Sequence, residues 1–247
     1  MSSPTSPVWQ SLSEAGGPHW KSLKRGYVPE GLLNLIPHPP ALVLDVGCFC
    51  GAVGERLKAK YPGVRVVGVE PVKQAAGEAR LVLDCVLEGR LEDVSLADAH
   101  VVGQSVDVIV LADVLEHMID PWRALQQLRE LLKPGGIVLA SIPNIRNWNV
   151  VDQLVRGDFE YAESGILDIT HLRFFTLRGI RRLFEETGYR IDHVTHIFDP
   201  RCEKLLEGLQ QQAPILVDSD LLQVKGQTHE SLAELATIQF WVRAFHA

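Results

Sequence analysis

The sequence has few cysteines: Cys48, Cys50, Cys85 and Cys202 are the only four among 247 residues. Cys48 and Cys50 are separated by one residue, which is too close for an ordinary zinc knuckle, and no second cysteine pair follows them. The spacing therefore argues against a structural zinc site. We expect all four thiols to be reduced, as is usual in the cytoplasm.

Long apolar runs and an excess of basic residues are also absent. No run reaches the roughly 18 residues of a membrane span, and no charged start precedes an apolar stretch near the N-terminus, so we expect neither a transmembrane segment nor a signal peptide. The 31 Asp and Glu outnumber the 24 Lys and Arg, and the net charge is −7. Broad binding to a nucleic-acid backbone needs a basic surface, so nucleic acid is not an expected partner. These absences together favour a cytoplasmic protein.

Apolar runs alternate with amphipathic segments along most of the chain. Strands that alternate with helices at this spacing indicate an α/β fold of the doubly wound type, with a mostly parallel seven-stranded sheet and helices on both faces. Pro134-Gly135-Gly136 predicts a sharp stop between a helix and the fifth strand. The predicted strands cover residues 41–46, 64–69, 81–87, 106–112, 137–142, 189–197 and 235–245, and the main predicted helices cover 51–60, 73–80, 121–132 and 177–186.

Three segments depart from this alternation. Residues 1–28 are rich in Ser, Pro and Gly and predict an N-terminal arm before a main domain at 29–247. Residues 143–175 form an insertion after the fifth predicted strand, and residues 199–233 form a polar excursion before the last one. The carboxyl ends of parallel strands meet at one edge of the sheet, where ligands bind, so the insertion is expected at the ligand side.

A glycine-bearing turn follows the first predicted strand, in the segment Asp45-Val-Gly47-Cys48-Phe-Cys-Gly51. Gly47 would let the backbone approach a ligand closely, and Gly51 would permit tight packing of the next helix. The second predicted strand ends at Glu70, where an acid can bind both hydroxyls of a ribose. This pattern predicts a ribose-containing cofactor, either a nicotinamide dinucleotide or S-adenosylmethionine (SAM).

Two downstream motifs decide between these cofactors. Residues 108–117 read VIVLADVLEH, and residues 131–144 read LLKPGGIVLASIPN. Together with DVGC-x-x-G and the acid after the second strand, VLEH and LKPGG resemble class I SAM-dependent methyltransferases, which have a Rossmann-like fold, over residues 41–143. Residues 165–176, GILDITHLRFFT, extend the likeness to about residue 198. They resemble a bacterial methyltransferase subfamily that is often associated with cell-surface polysaccharide.

The resemblance implies SAM as the cofactor and a set of residues that would bind it. The acid and glycine loop after the first strand would hold the methionine end, and Glu70 would bind the ribose. Residues 89–91 would meet the adenine, and Asp113 would border the methionine and the sulfonium. The residues expected at the cofactor are Asp45, Gly47, Cys48, Gly51, Glu70, Pro71, Leu91 and Asp113.

Two residues depart from the family pattern. Phe49 stands where many members carry glycine, so its side chain must point away from the cofactor. Arg90 stands where many members carry an acid that accepts a hydrogen bond from the adenine amino group, and an arginine cannot accept one. Glu88, Glu92 or a backbone carbonyl would then have to take over that contact.

An acid and histidine cluster, formed by Asp113, Glu116, His117 and His171, is a candidate metal set. Oxygen ligands with imidazole could hold Mg²⁺, Mn²⁺ or Fe²⁺, and such a metal would lower the pKa of an acceptor hydroxyl. The spacing resembles the E-x-x-E-H element of ubiquinone-biosynthesis O-methyltransferases. It also resembles small-RNA 3′-terminal 2′-O-methyltransferases, in which a later histidine completes the site, a part that His171 could play here. In the favoured interpretation no metal is bound: Asp113 faces SAM, Glu116 caps or pairs locally, and His117 packs in the following loop.

His171, His117 and Tyr161 are the candidate catalytic residues. A histidine that titrates near neutrality could take the proton of an acceptor hydroxyl as its oxygen attacks the methyl carbon. His171 could equally be structural and tie the insertion to the core. Tyr161, Trp148 and Asn144 could line an acceptor pocket, although surface packing of the insertion explains them equally well.

We therefore expect methyl transfer from SAM to a small-molecule or saccharide acceptor, on oxygen. The fold and the cofactor loops are shared by enzymes that methylate carbon, nitrogen, oxygen or sulfur, so they do not name the acceptor, and no oligomeric state is predicted. Phe49 and Arg90 motivate one alternative, a non-catalytic SAM-fold scaffold in a glycan assembly complex. The acid and histidine cluster motivates another, a metal-assisted RNA-terminal 2′-O-methyltransferase.

Overall fold

The computed structural model describes residues 28–211, 217–218, 223–224 and 228–246. Of the predicted arm, residues 1–27 lie outside the described residues, as do parts of the predicted excursion at 199–233. Within the described ranges, no helix combines the length and the apolar character that crossing a membrane requires.

Strands and helices alternate through most of the described chain. The strands are β1 (Leu42–Val46), β2 (Arg65–Glu70), β3 (Cys85–Glu88), β4 (Val106–Ala112), β5 (Leu132–Pro143), β6 (Tyr189–Phe198), β7 (Val217–Asp218), β8 (Gln223–Val224) and β9 (Thr237–His246). The helices are α1 (Glu30–Leu33), α2 (Ala52–Lys60), α3 (Lys73–Ala79), α4 (Pro121–Arg129), α5 (Trp148–Val155), α6 (Leu177–Glu186), α7 (Glu203–Gln211) and α8 (His229–Ala236).

Seven of these strands form one sheet in the order β3-β2-β1-β4-β5-β9-β6. The first five strands in this order, β3, β2, β1, β4 and β5, pair in parallel. Strand β9 runs antiparallel to both β5 and β6. The predicted Rossmann-like, mostly parallel seven-stranded sheet is confirmed. Because the chain reverses strand order between β1 and β4, the carboxyl ends of these two strands border a crevice of the kind that binds ligands.

Helices cover both faces of the sheet, and each face has its own apolar cluster. In β1, Val43 packs with residues of α1, α2 and α3, whereas its neighbour Leu44 packs with residues of α4 and α6. Successive side chains of a strand point to opposite faces, so a strand that is covered twice is apolar at nearly every position. This explains why the central strands appear in the sequence as continuous apolar runs.

The bounds of several elements differ from the prediction, most clearly around the third strand and the start of β5. The third strand was expected at residues 81–87 but spans Cys85–Glu88, since Leu81 is 78% exposed in the turn after α3. Helix α4 ends at Arg129 rather than at residue 132, and Pro134-Gly135-Gly136 lies inside β5 as a bulge. Val106 pairs with Leu132 while Val108 pairs with Ile137, so the bulge absorbs the extra residues of β5.

The two ends of the insertion after β5 lie side by side next to the sheet. Asn144 bridges to Phe175, and the amide of Ile145 donates to the Phe175 carbonyl at 2.9 Å. The Asn144 side chain, which was a candidate for the acceptor pocket, is fully buried and donates to the carbonyls of Glu234 and Thr237 at 2.7 and 2.9 Å. Asn144 therefore joins the insertion to α8 and β9 and does not line a pocket.

Ile109 in the central strand β4 tests the contribution of this core, because its side chain is fully buried. Ile109→Ala should lower the free energy of unfolding by about 2–5 kcal/mol, since it removes buried methyl groups and leaves a cavity. Urea unfolding followed by circular dichroism measures the change. Leu81→Ala is the matched control at an exposed position and should change it by less than about 0.5 kcal/mol. Equal losses for the two variants would contradict this packing.

Candidate cofactor and acceptor site

The glycine loop leaves β1 and is held against the end of β2. The amides of Gly47 and Cys48 donate to the Val69 carbonyl at 2.8 and 3.1 Å. Gly47 has φ +69°, and a Cβ there would lie 2.7 Å from Cγ2 of Val114, so only glycine lets the loop approach the end of β4 this closely.

Gly51, with φ +85°, precedes α2 and packs against Val82. The Cys48 side chain is buried in the apolar cluster under α2, so only its backbone faces the loop.

Asp45, near the end of β1, is 1% exposed. Its Oδ2 atom is buried and receives no hydrogen bond from the described residues. Burial raises the pKa of Asp45 to about 7, and the negative charge of Glu70 adds to the shift. A buried carboxylate without a donor is costly to the fold and is stabilised by a cationic ligand.

Glu70 ends β2, and its carboxylate accepts hydrogen bonds from the backbone of the glycine loop and of the turn after β2. Oε2 accepts from the amide of Phe49 at 2.9 Å, and Oε1 accepts from the amide of Val72 at 2.8 Å. Burial raises the pKa of Glu70, while these two backbone hydrogen bonds act in the opposite direction. Phe49 has φ +47°, so the carboxylate also holds the loop in a conformation that is unusual for a bulky residue. Each oxygen keeps a second lone pair for a ribose hydroxyl.

Two of the residues predicted near the adenine are more exposed than the residues predicted at the methionine end. Pro71 and Arg90 are exposed, whereas Leu91 is 3% exposed and packs in the larger apolar cluster. No hydrogen bond from the Arg90 side chain to a described residue holds it over the glycine loop. Glu88 ends β3 and pairs with Glu70 in the sheet, so residues 88–91 lie beside the end of β2.

Asp113 follows β4 and adopts a left-handed backbone conformation with φ +56°. Its amide donates to the carbonyl and to Oγ of Ser141 at 3.2 and 2.9 Å, and the Ser141 hydroxyl donates to Asp113 Oδ1 at 3.0 Å. The Gln239 side-chain amide donates to the same oxygen. Burial raises the pKa of Asp113 to about 6, and the Ser141 hydrogen bond partly offsets this.

The residues of this crevice fit SAM. Strands β2, β1 and β4 are neighbours in the sheet, so Glu70, Asp45 and Asp113 end at one edge on either side of the glycine loop. SAM combines a ribose with a cationic sulfonium and an ammonium group, which acids and a closely approaching backbone are suited to bind. The unpartnered Oδ2 of Asp45 and the glycine at position 47 are the two features that an ordinary strand-to-helix turn does not need.

Glu116 lies one turn beyond Asp113 and is 1% exposed. Neither oxygen of its carboxylate has a hydrogen-bond partner among the described residues. Burial raises the pKa of Glu116 well above its usual range, and the charge of Asp113 adds to the effect. The local capping or pairing expected for this side chain is therefore not found. Its backbone carbonyl accepts from the amides of Leu172 and Arg173 at 2.8 and 3.0 Å, which draws the HLRFF segment towards it.

His117 and His171 meet beside Glu116, with ring centroids 4.7 Å apart. The Nδ1 of His171 lies 2.9 Å from the Ile166 carbonyl, which can only accept, so Nδ1 carries the proton and Nε2 the lone pair. The Thr170 hydroxyl donates to Asp168 at 2.6 Å and therefore accepts from Nδ1 of His117 at 3.1 Å. Desolvation lowers the pKa of both histidines, and the neighbouring His171 adds to the effect at His117 although part of that ring is exposed. The neutral form, with Nε2 unprotonated, is therefore favoured in both at pH 7.

Three of the four candidate metal ligands converge. One ligand atom from each of Glu116, His117 and His171 lies within 4.8 Å of the others. Asp113 is not part of this group, and its Oδ1 atom accepts from Ser141 and Gln239. A metal with bonds of about 2.1 Å needs its ligand atoms about 3–4 Å apart, which is a range of separation that this cluster allows.

Tyr161 lies farther out, at the end of a series of rings. His171 contacts Phe174 with centroids 6.3 Å apart, Phe174 contacts Phe159 at 5.7 Å, and Phe159 contacts Tyr161 at 5.4 Å. Tyr161 is 48% exposed. The structure thus places His117 and His171 together but separates Tyr161 from them by two rings.

Comparison with known proteins identifies the family. A sequence profile described as a methyltransferase domain matches residues 22–194, well over half of the chain. The chain belongs to this methyltransferase family. Together with the fold and the cofactor crevice, this makes it a SAM-dependent methyltransferase, and the alternative of a non-catalytic scaffold is set aside.

Curated relatives are similar over part of the chain. A ubiquinone biosynthesis O-methyltransferase of Dinoroseobacter shibae is 30% identical over 166 residues, which is 66% of this chain and 65% of that protein. Another of Pectobacterium atrosepticum is 32% identical over 180 residues, or 70% of each protein. The match covers less than two thirds of the length of the Dinoroseobacter protein.

Solved structures share the fold at low sequence identity. A SAM-dependent methyltransferase from Archaeoglobus fulgidus has a TM-score of 0.57 at 16% identity, and the match covers 96% of this chain and 99% of that one. A magnesium protoporphyrin IX methyltransferase from Synechocystis with bound S-adenosylhomocysteine (SAH) has a TM-score of 0.55 at 14% identity, covering 100% and 90% of the two chains.

The raised pKa of Asp45 predicts pH-dependent cofactor binding. Since this pKa is about 7, the carboxyl is mainly protonated at pH 6 and ionised at pH 8. A ligand ammonium favours the ionised form, so SAH affinity should fall as the pH decreases, approaching tenfold per unit below pH 7. Asp45→Asn should weaken binding at pH 8 about tenfold and reduce this dependence.

Calorimetric titrations with SAH at pH 6, 7 and 8 measure both effects. Asp98→Asn, at an exposed acid outside the crevice, is the matched control and should leave the affinities unchanged. A variant at position 45 that keeps the wild-type affinity and pH slope would show that Asp45 does not meet the cofactor.

Proposed function

We propose that this methyltransferase transfers the methyl group of SAM to a hydroxyl oxygen of a small-molecule acceptor, with His171 as the general base. The observation that carries the proposal is the orientation of His171: its Nδ1 is committed to the Ile166 carbonyl at 2.9 Å, which leaves Nε2 free to accept a proton. The names of the similar O-methyltransferases support transfer to oxygen.

The cofactor would lie over the glycine loop between the three acids of the crevice. Asp45 and the backbone of Gly47 and Cys48 would hold its methionine end, Glu70 its ribose, and the backbone near Leu91 its adenine. When bound, SAM supplies an electrophilic methyl group that needs little chemical activation. The contribution of the protein is therefore to align the acceptor and to exclude water from the reacting atoms.

The acceptor hydroxyl would lose its proton to Nε2 of His171 as its oxygen bonds to the methyl carbon. His171 is neutral at pH 7 because burial lowers its pKa, so it can act as a base without first losing a proton. His117, beside it, is held by Thr170 and would position the acceptor or share the proton. The positive charge that develops on His171 would favour the ionised form of Glu116, whose pKa burial raises, and the ionised carboxylate would then balance that charge.

The rings of Phe174, Phe159 and Tyr161 extend from His171 towards the surface and provide apolar faces for the rest of the acceptor. Aromatic faces suit a planar phenol or the face of a sugar. We favour a planar phenolic acceptor, because the similar enzymes act in ubiquinone biosynthesis. A saccharide, and with it a role in surface polysaccharide, is the other class, and a panel of phenols and sugars with labelled SAM separates the two.

Replacement of His171 tests the base. His171→Gln should lower kcat by about 10²- to 10⁴-fold, since it removes the proton acceptor while leaving the cofactor crevice intact. Its affinity for SAH should stay within about twofold of the wild type, because the residue lies outside the crevice. The measurements are transfer of labelled methyl to the acceptor found in the panel and calorimetry with SAH. His38→Gln, at an exposed histidine, is the control, and a fully active His171→Gln enzyme would overturn the assignment.

A second candidate is metal-assisted transfer. It is favoured by the buried carboxylate of Glu116, which lies beside two histidines and has no hydrogen-bond partner in the part of the chain that the structure describes. Here Glu116 and the Nε2 atoms of His117 and His171 would hold a divalent cation, which would lower the pKa of the acceptor hydroxyl. An RNA-terminal ribose is one acceptor for this chemistry, although the net charge of −7 disfavours it.

Chelation distinguishes the two candidates. If a metal acts, dialysis against EDTA should abolish transfer, and Mg²⁺ or Mn²⁺ should restore it to the wild-type enzyme but not to Glu116→Gln. Full activity after chelation would exclude the metal and leave His171 as the base. Label incorporation into short RNA, measured in the same assays, tests the RNA acceptor directly.

A further inference from the structure

We propose that Gln239, on the last strand β9, is a positioning residue for Asp113 at the methionine side of the cofactor crevice. The proposal rests on the proposed role of Asp113 in binding SAM. Gln239 belongs to none of the sequence motifs and lies 126 residues from Asp113 along the chain. The antiparallel insertion of β9 beside β5 brings it to the same sheet edge, where it pairs with Pro143.

Three side chains form a hydrogen-bonded series that ends at the acid. The Trp241 indole Nε1 donates to Oε1 of Gln239 at 3.0 Å, and Nε2 of Gln239 donates to Oδ1 of Asp113. Gln239 and Trp241 are two residues apart on one strand, so their side chains project from the same face of the sheet.

The direction of this series is fixed by chemistry. An indole N–H can only donate, so the Gln239 atom that faces Trp241 must be the carbonyl oxygen. The other end of the side chain is then the NH₂ group, which is the end that an ionised Asp113 requires. Trp241 therefore prevents the amide from turning its oxygen towards the carboxylate.

Trp241 is itself held in place by close packing. Gly31 of α1 lies against the indole, and a Cβ there would be 2.2 Å from Cζ3 of Trp241. An indole packed against a helix backbone in this way has little room to rotate. The series is thus anchored in the layer of helices and not only in the crevice.

Both side-chain donors act on the same oxygen of Asp113. Ser141 and Gln239 bind Oδ1, and no described residue donates to Oδ2. Hydrogen bonds to one oxygen fix the rotation of the carboxylate and favour its ionised form, so Oδ2 remains available to a cationic part of the ligand. The φ of +56° at Asp113 shows that its backbone is also held in one conformation.

Two variants of Gln239 test the proposal. Gln239→Met keeps the length of the side chain and removes the donor, and Gln239→Glu replaces the donor with a carboxylate that repels Asp113. SAH should bind about tenfold more weakly to the first variant and more weakly still to the second. Trp241→Phe removes the indole donor together with one ring of the side chain but leaves the Gln239 donor in place, so it should give a smaller loss.

The readout is a comparison of two ligands in calorimetric titrations. 5′-Methylthioadenosine shares the adenosine part of SAH but lacks its amino-acid part, so its affinity should stay within about twofold in each variant. Gln126→Glu, at an exposed position on α4, is the matched control for the added charge and should bind both ligands as the wild type does.

Each remaining outcome is decisive. Equal losses for SAH and 5′-methylthioadenosine would mean that Gln239 only stabilises the fold, and normal SAH binding by both Gln239 variants would mean that it does not position Asp113. Asp113→Asn distinguishes the role of Asp113 in binding the cofactor from the role of Gln239 in positioning Asp113. If that variant binds SAH normally, the role of Asp113 fails, whereas a weakened Asp113→Asn beside unaffected Gln239 variants overturns only the positioning.

Discussion

Four carboxylates, those of Asp45, Glu70, Asp113 and Glu116, lie at the carboxyl edge of the sheet where water has little access. Burial raises the pKa of each one, to about 7 at Asp45 and about 6 at Asp113. An acid whose pKa is higher in the folded protein than in the unfolded chain makes the fold less stable as the pH rises from about 4 towards 7. The four buried acids therefore lower the stability of the fold at neutral pH, and a bound cationic ligand would offset that loss. The glycine loop, the histidines and β9 are all arranged around these acids.

The fold and the centre of the crevice could be predicted because their determinants are local. Gly47 and Gly51 lie in a short turn between a strand and a helix, and the apolar runs of β1, β2 and β4 reflect burial on both faces. The limits of β3 could not be predicted, because Leu81 belongs to an apolar run although the turn after α3 leaves it exposed. Pro134-Gly135-Gly136 is typical of a stop between elements, yet pairing with β4 carries the strand through it as a bulge.

The chemistry of the site depends on contacts that no local pattern encodes. The Ile166 carbonyl determines which nitrogen of His171 carries the proton. The Thr170 hydroxyl determines which nitrogen of His117 carries it. Asn144 resembled a pocket residue but serves as a buried link to β9. Gln239 and Ser141 have no motif at all, and only the sheet register could have indicated that Asp113 has these neighbours. The predicted cofactor residues came from a resemblance, whereas these supporting residues emerge only from the fold.

The position of β9 also bears on how the enzyme is made. This strand fills the gap between β5 and β6, yet it is the last strand of the sheet to leave the ribosome. Until it arrives, β5 presents an unpaired edge and β6 has no partner strand in the sheet, and exposed edges of this kind invite association with other chains. The same event delivers Gln239 to Asp113. Completion of the sheet and completion of the cofactor crevice are thus one step, so an enzyme released before β9 would be both aggregation-prone and unable to hold its cofactor firmly.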